Sequence, residues 1–268
     1  MRKALLAAAL IALFAIGVLA YRLIEPRSVT LASLRASNGT EYSFFVHVPP
    51  ACRNGGCQAL YVLDGLAWLP TFAELEEQLS AQHRTRPIAI VGIAYADALR
   101  TGELRKHDFT PAFGRTPNRT GGADAFLAVL RDEIIPYAER SLPIDSSTRG
   151  LAGHSYAGLF AAYALATAPE LFHRYLIMSP ALWFDEGKIF DVPLAPADQV
   201  DHVFLAADTP RDAPRSAMAN DMLRLSEHLK ARPRLDVSHA LIVGEDHNGM
   251  VAPAARRGLL ALYGEPAP

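Results

Sequence analysis

The stretch Gly150-Leu-Ala-Gly-His-Ser-Tyr-Ala-Gly-Leu-Phe160 places a serine between an apolar strand end and an apolar helical run. This arrangement predicts a nucleophile elbow, in which Ser155 stands on a sharp turn and its hydroxyl projects from the edge of the sheet. The usual pattern is G-x-S-x-G, but here Ala157 occupies the last position and Gly158 follows it. An ordinary strand–turn–helix with a surface serine is the alternative interpretation of this stretch.

Apolar strands and helical runs alternate on both sides of this turn. Strands are predicted over residues 28–36, 41–48, 58–63, 87–94, 148–153, 174–178, 203–207 and 237–243. Helices are predicted over residues 71–82, 123–140, 156–167, 217–231 and 251–263. The alternation indicates a mostly parallel central sheet with helices on both faces, and the turn residues Ser37-Asn-Gly39 add an antiparallel hairpin at its N-terminal edge. The polar segment 95–122 is predicted to be a long connection, of a kind that is usually functional or mobile.

The first residues of the chain resemble an export signal. Arg2 and Lys3 precede an uninterrupted apolar run from Ala4 to Ala20, which is typical of a signal peptide or a short signal anchor. Val18-Leu-Ala20 offers a cleavage site, so both alternatives stay open. The positive charges before the run keep the N-terminus in the cytoplasm and send the remainder across the membrane. We therefore expect a signal segment and linker over residues 1–27 and one α/β domain over residues 28–268. The N-terminal segment attaches the protein to a membrane only if it is not cleaved.

Cysteine content and charge restrict the kinds of site and partner. Cys52 and Cys57 are the two cysteines of the chain, and no second Cys or His pair lies near enough in sequence to complete a zinc site. A disulfide that clamps this loop is the preferred interpretation in an oxidising compartment, and two free thiols are the alternative. The formal net charge is −2 and no basic block occurs, so nothing indicates a nucleic-acid partner. No metal and no cofactor are predicted, and the expected partner is a small molecule.

Nucleophilic chemistry at Ser155 would require a base and a group that orients the base. In α/β-hydrolases these follow the serine in the order acid, then histidine. His247 lies in the loop after the last predicted strand and is therefore the predicted base. Asp208 follows the penultimate strand and is the predicted acid, while Asp212 and a Ser–His dyad without a carboxylate are the alternatives. His154, which adjoins the serine, is expected to point away along the turn.

An oxyanion hole needs two hydrogen-bond donors. The first is predicted to be the backbone N–H of Tyr156, at the N-terminus of the helix that follows the serine. The second is predicted to come from the loop after the first buried parallel strand, and is therefore the N–H of Gly65 or Leu66.

Several motifs together resemble a known family. They are Tyr61-Val-Leu-Asp-Gly65, Arg105-Lys-His-Asp-Phe-Thr-Pro111, the helix from Phe126 to Tyr137, Gly153-His-Ser-Tyr-Ala-Gly-Leu-Phe160, Ser179-Pro-Ala-Leu-Trp183 and Asp246-His247. From about Val29 to the C-terminus the chain is similar to the esterase family that includes the enterochelin esterases, and above all to its periplasmic members with an N-terminal membrane anchor. The resemblance implies an α/β-hydrolase fold, a periplasmic location at the inner membrane, and a serine esterase that cleaves catecholate siderophore trilactones such as enterobactin and salmochelin.

The implied substrate suggests further contact residues. A ferric tris-catecholate is a bulky trianion with aromatic faces, so its site should offer guanidinium groups and an aromatic wall. Arg100, Arg105 and Lys106 in the polar segment could supply the positive charge, and Trp183 could supply the aromatic surface. Arginines in loops are more often solvated, and a tryptophan more often belongs to the core.

Three functions are consistent with the sequence. The first is an exported serine esterase that acts on a siderophore, and the second is a serine esterase of the same fold with another aryl or acyl ester as substrate. Fold and triad do not separate these two, because the pocket sets the substrate. The third is a membrane-tethered protein that binds a ferric siderophore without cleaving it.

Overall fold

A computed structural model of the chain describes residues 29–53, 56–113, 120–196, 198–209, 211, 216–232 and 235–265. The predicted signal segment and linker, 1–27, lie outside these residues. Within the described parts of the chain, no helix is both long enough and apolar enough to cross a membrane.

The described chain alternates between strands and helices. The strands are β1 (Val29–Arg35), β2 (Glu41–His47), β3 (Cys57–Leu63), β4 (Ile88–Tyr95), β5 (Ile144–His154), β6 (Arg174–Met178), β7 (His202–Thr209) and β8 (Asp236–Val243). The α-helices are α1 (Gly65–Ala81), α2 (Thr101–Asp108), α3 (Ala123–Val129), α4 (Ile135–Ser141), α5 (Tyr156–Thr167), α6 (Ala217–Lys230) and α7 (Val251–Tyr263). A π-helical turn, Leu130–Ile134, joins α3 to α4, so the two continue each other as the single helix predicted there.

The eight strands form one sheet in the order β1-β2-β4-β3-β5-β6-β7-β8. β2 runs antiparallel to both of its neighbours, and every other neighbouring pair is parallel. The predicted mostly parallel sheet with an antiparallel N-terminal hairpin is therefore confirmed. The parallel strands all end at the same edge, which is where ligands bind in open sheets of this kind.

Side chains of the central strands pack on both faces of the sheet. In β3, Tyr61 and Leu63 join the core under α3, α4, α5 and α6, whereas Leu60 and Val62 join the core under α1 and α7. From Ala59 to Leu63 the strand is buried on both sides, which explains why this part of its sequence is continuously apolar rather than alternating. The disulfide between Cys52 and Cys57 joins a short 3₁₀ turn to the start of β3.

The largest departures from the sequence prediction concern two helices. α1 begins at Gly65, directly after β3, and not after Pro70 at residue 71. The helix continues through Pro70, which has no N–H to donate to the carbonyl of Leu66. α2 lies inside the segment predicted to be a connection, because its composition is polar and carries no apolar periodicity.

β5 and α5 approach each other closely at the turn that joins them. A Cβ atom added to Gly153 would overlap the carbonyl oxygen of Ala157, which belongs to the backbone and cannot move aside. By contrast, a Cβ atom on Gly102, near the start of α2, would meet no atom within 4 Å.

These two glycines provide a matched test of the packing at the turn. We expect Gly153→Ala to lower the free energy of unfolding by about 3 kcal/mol, because the added methyl overpacks a rigid backbone contact. Gly102→Ala should instead be neutral or stabilising by about 0.5 kcal/mol, since alanine favours helix. Urea unfolding of the wild type and both variants measures the difference. Equal stability of the two variants would contradict the close approach of β5 and α5.

Candidate active site

Ser155 occupies the turn between β5 and α5. Its backbone has φ 61° and ψ −120°, a conformation that is rare for any residue other than glycine. Two hydrogen bonds hold it there: the Ser155 N–H donates to the carbonyl of Met178 at 3.0 Å, and the Ala181 N–H donates to the carbonyl of Ser155 at 3.0 Å. Strained residues of this kind cluster at functional sites, where the surrounding structure maintains them.

The small residue at position 158 allows this turn to pack against β6. A Cβ atom on Gly158 would lie 2.9 Å from the carbonyl oxygen of Met178 and 3.0 Å from Cα of Pro180. Ala157 takes the last position of the usual elbow pattern and is fully buried. The close contact to β6 therefore depends on Gly158 rather than on the preceding residue.

His247 and Asp208 come together at the same edge of the sheet. His247 lies between β8 and α7, and its Nδ1 is 3.4 Å from Oδ1 of Asp208, near the end of β7. The carboxylate of Asp208 is buried, and its Oδ1 also accepts a hydrogen bond from Ser179 Oγ at 2.6 Å. Asp212, the alternative acid, lies outside the described residues.

A cavity of about 490 Å³ opens beside Ser155. Its lining residues are Asp64, Leu66, Ala67, Trp68, Ala94, Tyr95, Thr101, Arg105, His154, Ser155, His247 and Asn248. Ser155 and His247 thus face one shared space, although no hydrogen bond joins their side chains among the described residues. Bonds of this kind are often long in the absence of substrate and tighten when it binds.

His154 lies in the wall of this cavity, so the expectation that it points away along the turn was wrong. It is still part of β5, and strand alternation sends its side chain to the face that is covered by α1 and α7. Its Nε2 donates a hydrogen bond to the carbonyl oxygen of His247 at 2.8 Å, and its ring lies 4.4 Å from the ring of His247. The ring also packs edge-on against Trp68 at 5.5 Å.

This environment keeps His154 neutral. Burial, together with the nearby His247, lowers the pKa of His154 to about 4. At neutral pH the ring therefore carries one proton, on the Nε2 atom that faces the His247 carbonyl. His154 consequently fixes the backbone of the loop that carries His247 without adding a positive charge to the cavity.

Two helices begin at the edge of the sheet where Ser155 stands. Tyr156 is the first residue of α5, and Gly65 and Leu66 are the first two of α1. No backbone acceptor among the described residues takes up these three N–H groups. Gly65 packs directly on β4, since a Cβ atom there would lie 2.5 Å from Cα of Gly92. Both helix N-termini therefore offer donors toward the edge where Ser155 stands.

Arg105 reaches the cavity from α2 as part of an ion pair. Its Nε and one terminal nitrogen donate to the two carboxylate oxygens of Asp64 at 2.9 and 2.7 Å. The guanidinium carbon lies 5.7 Å from the ring centroid of Tyr156 and 5.8 Å from that of Phe109. The sequence did not predict this contact, because the two residues are 41 positions apart.

A buried carboxylate holds α2 in place. Asp108, the last residue of the helix, accepts hydrogen bonds from the hydroxyls of Tyr42 at 2.7 Å and Tyr95 at 3.2 Å. The His107 ring contacts its other oxygen at 2.8 Å. These polar contacts, together with Leu104, which packs against the core, dock the helix that carries Arg105.

The remaining predicted contact residues lie away from the cavity. Arg100 lines a separate surface depression and pairs with Glu103 at 3.7 Å, so the structure does not bring it to the site. Trp183 is half exposed, and its ring lies 6.0 Å from that of Tyr156, outside the cavity lining. Lys106 is exposed on α2. Within the described residues, no group of three or more His, Cys, Asp or Glu side chains could hold a metal ion.

Comparisons with known proteins agree on one family. Residues 36–236 match the family described as Putative esterase. The siderophore triacetylfusarinine C esterase of Aspergillus fumigatus is 30% identical, over 78% of this chain and 82% of that protein. The apo-salmochelin esterase of Escherichia coli is 35% identical, over 52% of this chain and 45% of that protein, so the match spans less than half of that relative. The crystal structure of the BES protein from Bacillus cereus superposes with a TM-score of 0.77 at 26% identity, over 90% of this chain and 97% of that one.

The buried position of His154 predicts a pH dependence of stability. Because the pKa of His154 is about 4 in the folded protein and lies near 6.5 in an unfolded chain, the unfolded state takes up a proton first as the pH falls. We expect the stability of the wild type, relative to that of His154→Gln, to fall by about 3 kcal/mol between pH 7 and pH 4. Urea unfolding of both proteins at several pH values measures this difference. A difference that stays constant over the range would contradict the buried neutral ring.

Proposed function

Because the chain belongs to the Putative esterase family and is an ester hydrolase, we propose that it hydrolyses the ester bonds of a siderophore, with Ser155 as nucleophile, His247 as general base and Asp208 as the acid that orients the base. The observation that carries this proposal is the shared cavity. Ser155 stands on a strained turn in its wall, and His247 faces the same space with Asp208 behind it.

In the proposed reaction, Ser155 Oγ attacks the ester carbonyl carbon while His247 Nε2 removes the hydroxyl proton. The carbonyl oxygen becomes an oxyanion, and collapse of this intermediate breaks the bond to the leaving alkoxide, which takes the proton from His247. Water then attacks the acyl-serine by the same route and restores the free enzyme. Asp208, on the Nδ1 side of the ring, holds the tautomer that leaves Nε2 free to accept the proton.

The N–H groups of Tyr156 and Gly65 would stabilise the oxyanion, with Leu66 as the alternative to Gly65. Each belongs to the first turn of a helix, where backbone N–H groups lack intrahelical acceptors and the helix dipole favours negative charge. The Asp64–Arg105 pair links the two segments, because Asp64 directly precedes Gly65 and Arg105 lies against the ring of Tyr156. Donors that are held in place before the reaction cost no reorganisation during it.

The cavity supports a bulky substrate with aromatic and polar groups. Trp68 and Tyr95 supply aromatic surface, and Arg105 is the cation of the described lining. Relatives of the chain are named as esterases of two siderophores, triacetylfusarinine C and apo-salmochelin. We propose a catecholate trilactone as the substrate, with Arg105 near the catechol groups and Trp183 in contact with parts of a large substrate that extend beyond the cavity.

We also propose that the enzyme works outside the cytoplasm, in a periplasm. The apolar run from Ala4 to Ala20 after two positive residues supports export, whether or not the segment is cleaved. The disulfide between Cys52 and Cys57 supports an oxidising compartment.

The first experiment compares the full-length wild type with Ser155→Ala on ferric and iron-free enterobactin, with products resolved by chromatography and mass. We expect linear trimer, dimer or monomer from the wild type and none from the variant, because the variant lacks the nucleophile. If the wild type leaves enterobactin intact but turns over a simple aryl ester, the substrate is wrong and the esterase stands. If it cleaves neither and binds the ferric siderophore tightly, a binding function replaces the enzymatic one.

A second experiment identifies the acid. We expect Asp208→Ala to lower kcat by about 10³-fold, because His247 loses the group that orients it. Asp212→Ala is the matched control and should retain the wild-type kcat. The reverse result would transfer the role to Asp212, and wild-type rates in both variants would indicate a Ser–His dyad.

A further inference from the structure

Ser179 has a position and a conformation that the proposed chemistry does not yet explain. It follows β6 directly, is fully buried, and has φ 35°, which an L-residue rarely adopts. Its backbone N–H donates to the carbonyl of Ala206 in the neighbouring strand β7 at 2.7 Å. This hydrogen bond holds Ser179 in a strained turn at the edge of the sheet where the cavity lies.

The hydroxyl of Ser179 binds Asp208 twice. Ser179 Oγ donates to Oδ1 of Asp208 at 2.6 Å and accepts the backbone N–H of Asp208 at 3.0 Å. One hydroxyl thus connects the main chain and the carboxylate of the same residue, which restricts rotation of that side chain. His247 lies farther from the same oxygen, at 3.4 Å, so the shorter contact to Ser179 is the stronger restraint on the carboxylate.

The same short segment also holds the nucleophile. Met178 and Ala181, on either side of Ser179 and Pro180, make the two backbone hydrogen bonds that keep Ser155 in its strained conformation. Ser179 therefore lies between the residue that attacks the ester and the residue that orients the base. A change in its side chain would reach Asp208 directly, while the backbone bonds to Ser155 do not involve its hydroxyl.

We propose that Ser179 is a positioning residue: its hydroxyl holds the Asp208 carboxylate in the orientation that faces His247 Nδ1. The proposal rests on the role of Asp208 given above. Ser179 does not line the cavity, so it acts through Asp208 and not on the substrate. Loss of the hydroxyl should therefore reduce kcat and leave KM unchanged.

A double-mutant cycle in the full-length enzyme tests this, with kcat and KM measured on an aryl ester for Ser179→Ala, Asp208→Ala and the double variant. We expect Ser179→Ala to lower kcat about tenfold at unchanged KM, the loss that corresponds to one hydrogen bond. In the Asp208→Ala background the same substitution should change kcat by less than about twofold, since no carboxylate remains to be oriented.

Two further variants separate the hydroxyl from the fold. Ser179→Gly also removes the hydroxyl but suits the positive φ, so it should fold and lose kcat as Ser179→Ala does. Ser226→Ala is the control: this buried serine of α6 likewise makes a side-chain hydrogen bond, to His239 at 2.9 Å, but lies outside the site, and its loss should leave kcat unchanged. Thermal unfolding of each variant verifies that the compared proteins are folded.

The outcomes distinguish the two proposals. A tenfold loss from Ser179→Ala in both backgrounds, or wild-type kcat in Ser179→Gly, would overturn the positioning role while Asp208 keeps its own. A wild-type kcat in Asp208→Ala would overturn the assignment of the acid, and the role of Ser179 would be lost with it. A large effect of Ser179→Ala that disappears in the Asp208→Ala background would support both.

Discussion

The turn at Ser155 depends on two backbone hydrogen bonds to the chain that follows β6. They hold the serine in a backbone conformation that is unfavourable for any residue with a side chain. The contact requires β5, β6 and α5 to approach within a distance that only Gly158 allows. The position of Ser155 in the cavity wall is therefore a consequence of packing in the centre of the sheet.

Two contacts of His247 extend this arrangement to the rest of the site. His154 precedes the serine and holds the loop of His247 through a backbone carbonyl, while Asp208 lies behind the same imidazole. The neutral state of His154 matters here, because a positive charge at 4.4 Å from His247 would oppose the charge that His247 develops when it accepts a proton. His154 and Asp208 belong to strands of the sheet, and His247 belongs to a loop at the edge of the same sheet.

Much of this architecture follows from patterns in the chain. Buried strands are apolar runs in the sequence, and polar groups follow the ends of these strands. The spacing of glycine and serine residues marks the elbow. Ser155, His247 and Asp208 could therefore all be predicted to meet at one edge of the sheet. α2 was missed because a buried carboxylate, Asp108, docks it instead of an apolar stripe. Arg100 was misplaced for a related reason: a run of arginines in a polar segment does not reveal which one turns toward the cavity.

The sequence by itself determined the strands, the helices other than α2, the edge of the sheet that carries the chemistry, and the presence of Ser155, His247 and Asp208 at that edge. These depend on hydrophobic periodicity and on local turn geometry, which neighbouring residues set. Only the tertiary structure decided that Arg105 pairs with Asp64, that His154 supports His247, and that Ser179 contacts Asp208. Each contact joins residues that are 29 or more positions apart, and the directions of the side chains are set by the packing of whole elements rather than by local sequence.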